Sequence, residues 1–257
     1  MNDIAVAIEG LTRVFEGGKV AVDGLDLEVR RGEFFGFLGP NGAGKSTTIK
    51  ILCGLLRPTE GRVRVLGHDV VREPLEVKAR IGLLPEDVNT YERLTGEELL
   101  VFTGRMYGLP RATAAERAGE LLDFMEISDT DRRKLVVDYS MGMKKKTVLA
   151  AALIHGPKVL FLDEPFNGID AVTSRAIRNV LKRVVEEGVT IFFSSHVMEV
   201  VERLCTRIAV IDRGRLLAVG DLDELREQTG HDPDASLEEI FVHLVGADED
   251  RGELSFL

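Results

Sequence analysis

Apolar positions along this chain change period several times, and each change predicts an element. Leu25-Asp26-Leu27-Glu28-Val29 alternates strictly, the pattern of a half-buried antiparallel strand. Residues 4–8 predict another strand. Arg30-Arg31-Gly32 turns the chain into the apolar run Phe34–Leu38. Beyond a glycine-rich stretch, Ile49, Leu52, Cys53 and Leu56 fall at helical spacing. A turn over 57–61 leads to a short strand at 62–66, and an apolar strand at 81–85 is stopped by Pro85.

Residues 96–155 read differently. Leu99, Phe102, Thr103 and Met106 form one helical stripe. Ala114, Ala118, Leu121 and Met125 form a second, and Val148, Ala151 and Ala152 a third. No strand pattern interrupts them, which predicts a helical subdomain inserted in an α/β core. The α/β alternation then returns: a strand at 159–162, a helix at 172–184, a strand at 189–193, and a helix carrying Val197, Val200, Val201 and Leu204. Residues 207–211 and 216–219, joined by Asp212-Arg213-Gly214-Arg215, predict a hairpin. Helices at 221–228 and around Leu237, Ile240, Phe241 and Leu244 close the pattern, and 246–257 reads as a frayed tail. The expected division is 1–86 (an antiparallel β subdomain and the first part of the core), 87–155 (helical), 156–220 (the rest of the core) and 221–257 (a helical extension and tail).

Composition changes this picture little. The 257 residues allow a sizeable core. A net charge of −10, from 33 basic against 43 acidic residues, argues against a general nucleic-acid binder, and none is expected as a partner. Cys53 and Cys205 have no metal-site or disulfide spacing, which points to a reducing compartment. The N-terminal MNDIAVAIEG lacks the basic and apolar regions of a signal peptide. No stretch reaches the roughly 18 apolar residues of a membrane span.

The chemistry begins at Gly39-Pro40-Asn41-Gly42-Ala43-Gly44-Lys45-Ser46-Thr47. It lies between a predicted strand and a predicted helix, the context that makes G-x-x-x-x-G-K-[ST] a phosphate-binding loop. Glycines let backbone N–H groups turn inward. The helix beginning near Lys45 offers free N–H groups and the positive end of its dipole. Lys45 supplies a cation for the β- and γ-phosphates, and Ser46 a hydroxyl for Mg²⁺.

A second motif follows the strand at 159–162, which ends in Asp163-Glu164. Both carboxylates are delivered to the C-terminal edge of a sheet, where open α/β folds bind ligands. Asp163 would hold Mg²⁺ and Glu164 would accept a proton from attacking water. A plain strand end with solvated acids has the same pattern, and the earlier phosphate loop favours the catalytic reading. His196, leaving the strand at 189–193, could reach a γ-phosphate or be structural.

Together these motifs resemble the nucleotide-binding subunits of ABC transporters, in the family's order and over about residues 4–245. The resemblance implies an α/β fold: a P-loop NTPase (RecA-like) core, an antiparallel β subdomain and an inserted helical subdomain. It implies that Gly39–Thr47 is Walker A, that Asp163 and Glu164 are Walker B and the catalytic glutamate, and that His196 is the switch histidine. Asn167-Gly168-Ile169-Asp170 is similar to the D-loop. Phe15 sits where the family places an aromatic against adenine; a core phenylalanine is an equally good reading. The signature appears as Tyr139-Ser140-Met141-Gly142-Met143, with Ser140 and Gly142 kept and two methionines substituted. Ser140 is also a good helix N-cap. Lys144-Lys145-Lys146 reads as phosphate support or as a solvated helix face. Glu86 stands where the family has a glutamine reaching Mg²⁺ and water.

Leu84-Pro85-Glu86-Asp87 and Ser236-Leu237-Glu238-Glu239-Ile240-Phe241 resemble the branch that pairs with ABC-2-type permeases, mostly exporters. The implied protein binds ATP and Mg²⁺ and hydrolyses ATP, with Glu164, His196 and Lys45 as its catalytic residues. It would work peripherally on the inner, cytoplasmic face of the cell membrane, with a second ATP-binding subunit and a separate integral membrane permease. The alternatives are a soluble ABC ATPase outside transport, or an ATP-gated subunit with weak hydrolysis.

Overall fold

The computed structural model describes residues 3–246. Strand β1 (Ile4–Val14) pairs antiparallel with β2 (Val20–Arg30), and β3 (Phe34–Leu38) runs into the glycine-rich loop that opens α1 (Lys45–Leu52). Next come β4 (Glu60–Val65), the two-residue β5 (His68–Asp69), α2 (Pro74–Lys78) and β6 (Ile81–Leu84). The helical block holds α3 (Gly96–Met106), α4 (Arg111–Phe124), α5 (Asp129–Arg132), a 3-10 turn (Val136–Asp138) and α6 (Met141–Leu153). Then follow β7 (Val159–Asp163), α7 (Ala171–Glu186), β8 (Thr190–Ser195), α8 (Met198–Leu204), β9 (Arg207–Asp212), β10 (Arg215–Gly220), α9 (Leu222–Thr229) and α10 (Leu237–Gly246).

The strands form two sheets, one ordered β2-β1-β4-β5 and the other β10-β9-β3-β8-β7-β6. The first is antiparallel throughout. In the second, β6, β7, β8, β3 and β9 run parallel and β10 returns antiparallel to β9. Strands β3, β7 and β8 are buried along their whole length, as expected of a parallel sheet covered on both faces. Side chains of β3 divide between two cores. Phe34 and Leu38 join a core with α4, α6, α7 and α8, and Phe35 and Phe37 join one with α1 and the four-stranded sheet. Phe192 anchors the second core, with ring centroids 5.6 Å from Phe35, 5.2 Å from Phe37 and 5.8 Å from Phe161. This packing aligns the C-terminal ends of β3, β6, β7 and β8 along one edge. In register, Leu38 faces Ser195 and Asp163 faces Ser194.

Several elements exceed what periodicity predicts. Strands β1 and β2 are each 11 residues long, well beyond 4–8 and 25–29. Register shifts between Ile8 and Leu11 and between Leu11 and Arg13 break the alternation, and Gly10 and Gly24 sit there with positive φ. The first helical stripe is turned on its axis. Leu99 is buried, but Phe102 and Met106 are exposed, and Leu100 and Gly104 complete the inward face of α3. In α6 the buried apolar side chains are Leu149, Ala150 and Ala151, with Val148 and Ala152 only partly covered. Elements β5, α2 and α5 are too short to leave a period. Burial pushes both cysteine thiols up, so Cys53 and Cys205 act as packing groups. The tail expected to fray lies, from residue 247 onward, outside the described residues.

Among the described residues, no helix is long and apolar enough to cross a membrane.

Candidate active site

The loop from Gly39 to Gly44 is held from outside as well as from within. A Cβ at Gly39 would meet the Ile211 carbonyl oxygen at 2.4 Å. At Gly44, φ is +105° and a Cβ would meet the Ala21 carbonyl at 2.3 Å. Both positions therefore require glycine. The β9–β10 turn closes over the loop: Gly214 N donates to Ala43 O (3.0 Å), Asp23 N donates to Gly214 O (2.9 Å), and Arg215 pairs with Asp23 (2.7 Å). Helix α1 then starts at Lys45, so its first N–H groups face the loop's concave side.

Lys45 is buried, and its Nζ donates to Gly39 O (2.6 Å) and Pro40 O (3.2 Å). Glu164 Oε1 lies 3.3 Å from the same Nζ. This is ion-pair distance without hydrogen-bond alignment, and Oε1 stays a buried acceptor lacking a hydrogen bond. The other oxygen, Oε2, is 2.9 Å from His196 Nδ1. With Nδ1 donating to the carboxylate, His196 Nε2 is the ring nitrogen left for another partner. Asp163 is buried, and its Oδ1 accepts from Ser194 Oγ at 2.6 Å. Ser194 Oγ also accepts from Glu164 N at 3.1 Å. Glu164 has φ +46°, a left-handed conformation that costs a non-glycine residue about 1–3 kcal/mol.

A cavity of about 350 Å³ opens over the loop, within the range of nucleotide-sized sites. Its walls bring together Phe15, Pro40–Thr47, Glu86 and Glu164. Phe15 is exposed rather than part of the core, and the Arg13 guanidinium lies 4.8 Å from its ring centroid. Glu86 accepts from Asn167 Nδ2 at 3.4 Å. The oxygen donors of Ser46, Asp163 and Glu86 suit a hard cation. Among the described residues no three His, Cys, Asp or Glu side chains are grouped so as to hold a metal ion.

Ser140, Gly142 and Asp170 are brought together elsewhere and do not line this cavity. Ser140 caps α6, its Oγ accepting from Met143 N at 3.2 Å. Asp170 caps α7, accepting from Val172 N and Thr173 N (both 2.9 Å) and from Thr173 Oγ1 (2.7 Å). The Thr173 hydrogen bonds hold its carboxyl below the usual aspartate range. That cap is kept above the ordinary aspartate pKa and lost only as pH falls through the lowered value. Gly142 packs on Thr173, where a Cβ would lie 2.9 Å from Thr173 Cγ2. Gly142→Ala should overpack this contact and cost about 1–3 kcal/mol, read as a lower thermal unfolding midpoint. An unchanged midpoint would remove the packing argument.

The lysine run has three fates, which its sequence does not separate. Lys144 pairs with Glu92 at 2.6 Å and Lys146 lies 4.0 Å from Glu126. Lys145 is buried, and its Nζ donates to the carbonyl oxygens of Glu164 (3.0 Å) and Asn167 (2.7 Å). The one available signal was helical phase, since Lys145 shares a face with Leu149.

A family model described as ABC transporter matches residues 22–167. Daunorubicin resistance ATP-binding protein DrrA3 of Streptomyces coeruleorubidus is 44% identical over 232 residues, covering 90% of this chain and 73% of that protein. Linearmycin resistance ATP-binding protein LnrL of Bacillus subtilis is 40% identical over 216 residues, covering 84% and 69%. A solved ATP-binding subunit of an ABC transporter superposes with a TM-score of 0.86 at 31% identity, covering 94% of this chain and 99% of that one. The dimeric bacterial ABC transporter cassette MJ0796 gives 0.79 at 25% identity, covering 84% and 98%. With the phosphate loop and Glu164 lining one cleft and Asp163 buried just before Glu164 at the end of β7, the chain belongs to the ABC transporter family, as an ATP-binding subunit that hydrolyses ATP.

Proposed function

We propose that the chain drives export through a separate ABC-2-type membrane permease, as one of two cassettes that close head to tail at the inner face of the cell membrane. The observation that carries this reading is a division of the site. Lys45 and Glu164 line one cavity, with His196 held against Glu164, and Ser140, Gly142 and Asp170 lie outside that lining. The second set is then free to complete a partner cassette's site. Relatives named for resistance to daunorubicin and linearmycin support the outward direction. The sheets hold the nucleotide, and the helical block 87–155, with the loop after β6, carries the motion to the permease.

In this reading the loop amides and Lys45 bind the phosphates, and Phe15 stacks on the base. Ser46, Asp163 and Glu86 would hold Mg²⁺, which neutralises phosphate charge when bound. Glu164 takes the proton of the attacking water, and His196 steadies that carboxylate and faces the γ-phosphate. Phosphoryl transfer depends on positioning and charge stabilisation, so half a site should turn over slowly. ATPase rates measured with and without a copurified multi-span permease test this directly. A rate unchanged by the permease would remove the coupling. Phe15→Ala tests the base contact: a stacked base is worth about 1–3 kcal/mol. The loss should appear in KM with kcat kept, and to a similar degree with GTP. An unchanged KM would exclude the stack.

A further inference from the structure

Lys145 is the one cation of the lysine run that turns inward from α6 to the core. It is 1% exposed, and among the described residues its hydrogen bonds go to main-chain carbonyls. Two of its three donors go to backbone carbonyls, Glu164 O (3.0 Å) and Asn167 O (2.7 Å). Glu164 has left-handed backbone, φ +46°, and Asn167 N donates to the same Glu164 carbonyl at 3.2 Å. Asn167 also reaches Glu86 through Nδ2 at 3.4 Å. One ammonium on the signature helix therefore fastens the turn that carries the catalytic carboxylate, and through Asn167 it touches the residue expected at the metal.

We infer that Lys145 is a positioning residue for ATP hydrolysis, holding the strained turn at Glu164 and tying its geometry to the placement of α6. Three observations support this. A non-glycine residue at positive φ persists only where its surroundings over-determine it. The surroundings here are Ser194 on the Glu164 amide, and Lys145 and Asn167 on the Glu164 carbonyl. Burying an ammonium is unfavourable unless it is hydrogen-bonded, and burial does push Lys145 below the ordinary lysine pKa while Glu86 and Glu164 pull it back up. Finally, Gly142 packs on Thr173 three positions before Lys145, so movement of α6 is passed both to α7 and to this turn. The inference rests on Glu164 being the base.

The test is steady-state ATPase of the purified full chain, with binding of a fluorescent ATP analogue and thermal unfolding followed in parallel. Lys145→Met, which keeps length and loses the donors, should lower kcat about 10- to 100-fold, the scale of a misplaced rather than missing group. Nucleotide affinity should be retained. Lys145→Arg, which keeps charge and donors, should restore most of kcat. If Lys145→Met does not fold, Lys145→Gln, which retains an amide donor, replaces it with the same expected split. A wild-type kcat in the variant overturns the inference, as does a loss that follows only folded fraction or affinity. So does failure of Lys145→Arg to recover activity at wild-type stability. Glu164→Gln is the control. If that variant hydrolyses normally, the assignment of the base fails. If it is inactive and Lys145→Met is normal, only the role of Lys145 fails.

Discussion

Glu164→Gln is expected to bind ATP and hydrolyse it about 10²–10⁴-fold more slowly, the range assigned to a positioned general base. Glutamine keeps the shape and one acceptor oxygen but cannot take a proton at neutral pH. The carboxylate it replaces is 6% exposed and lies between Lys45 (3.3 Å) and His196 (2.9 Å). It is thereby aimed at the phosphate side of the cleft. If hydrolysis reopens the closed pair of cassettes, the variant should also accumulate as an ATP-dependent dimer in size-exclusion chromatography. Near-normal turnover would refute the role given to Glu164, and normal dimer dissociation beside blocked turnover would refute the link between hydrolysis and opening.

Lys45→Met should have two separable effects. In the nucleotide complex it removes a charged donor from the phosphates, worth about 1.5–3 kcal/mol, or roughly 10- to 100-fold in Kd. In the empty protein it strips Glu164 of its buried counter-charge. Removing one partner of a buried pair costs about 3–5 kcal/mol, here reduced because His196 still touches Oε2. The empty variant should therefore unfold at lower temperature than the wild type. Adding Glu164→Gln should recover part of that stability without recovering affinity, because the orphaned charge is gone while the phosphate cation is still missing. A double variant no more stable than Lys45→Met would show that the pair contributes nothing to the empty fold. Unchanged ATP affinity would remove Lys45 from the phosphate site.

The half of the site that lies on one strand–loop–helix segment was legible in the sequence. Gly39–Thr47 is contiguous, and Gly42 and Gly44 answer a local need for positive φ. Asp163-Glu164 and His196 were legible because a buried strand announces its own end. Less legible were features that depend on a neighbour distant in the chain. Nothing around Gly39 reveals that Ile211 O presses on it. Nothing in three consecutive lysines reveals that the middle one is buried under Glu164 and Asn167. The stripe Leu99, Phe102, Thr103, Met106 had the right period and the wrong phase: Phe102 packs on Tyr91 at the surface, their ring centroids 5.1 Å apart. Periodicity identifies a helix but does not say which side of a broad apolar face meets the core. The long strands β1 and β2 were under-read because bulges at glycines interrupt the two-residue rhythm.

The turn at Gly214 has a consequence for how the protein is made. The phosphate loop is synthesised early, yet the strand that feeds it pairs Phe34 with Ile191 and Phe35 with Arg207. Its outer clasp, Gly214 to Ala43, comes later still. Chains emerge from the ribosome N-terminus first, and pairings between distant segments form slowly. A nascent chain therefore carries the loop without the walls that shape it until β8, β9 and the turn at Gly214 have followed. Nucleotide should bind tightly only once those last strands have closed around the loop. From then on it acts by mass action to favour the finished molecule over its precursors.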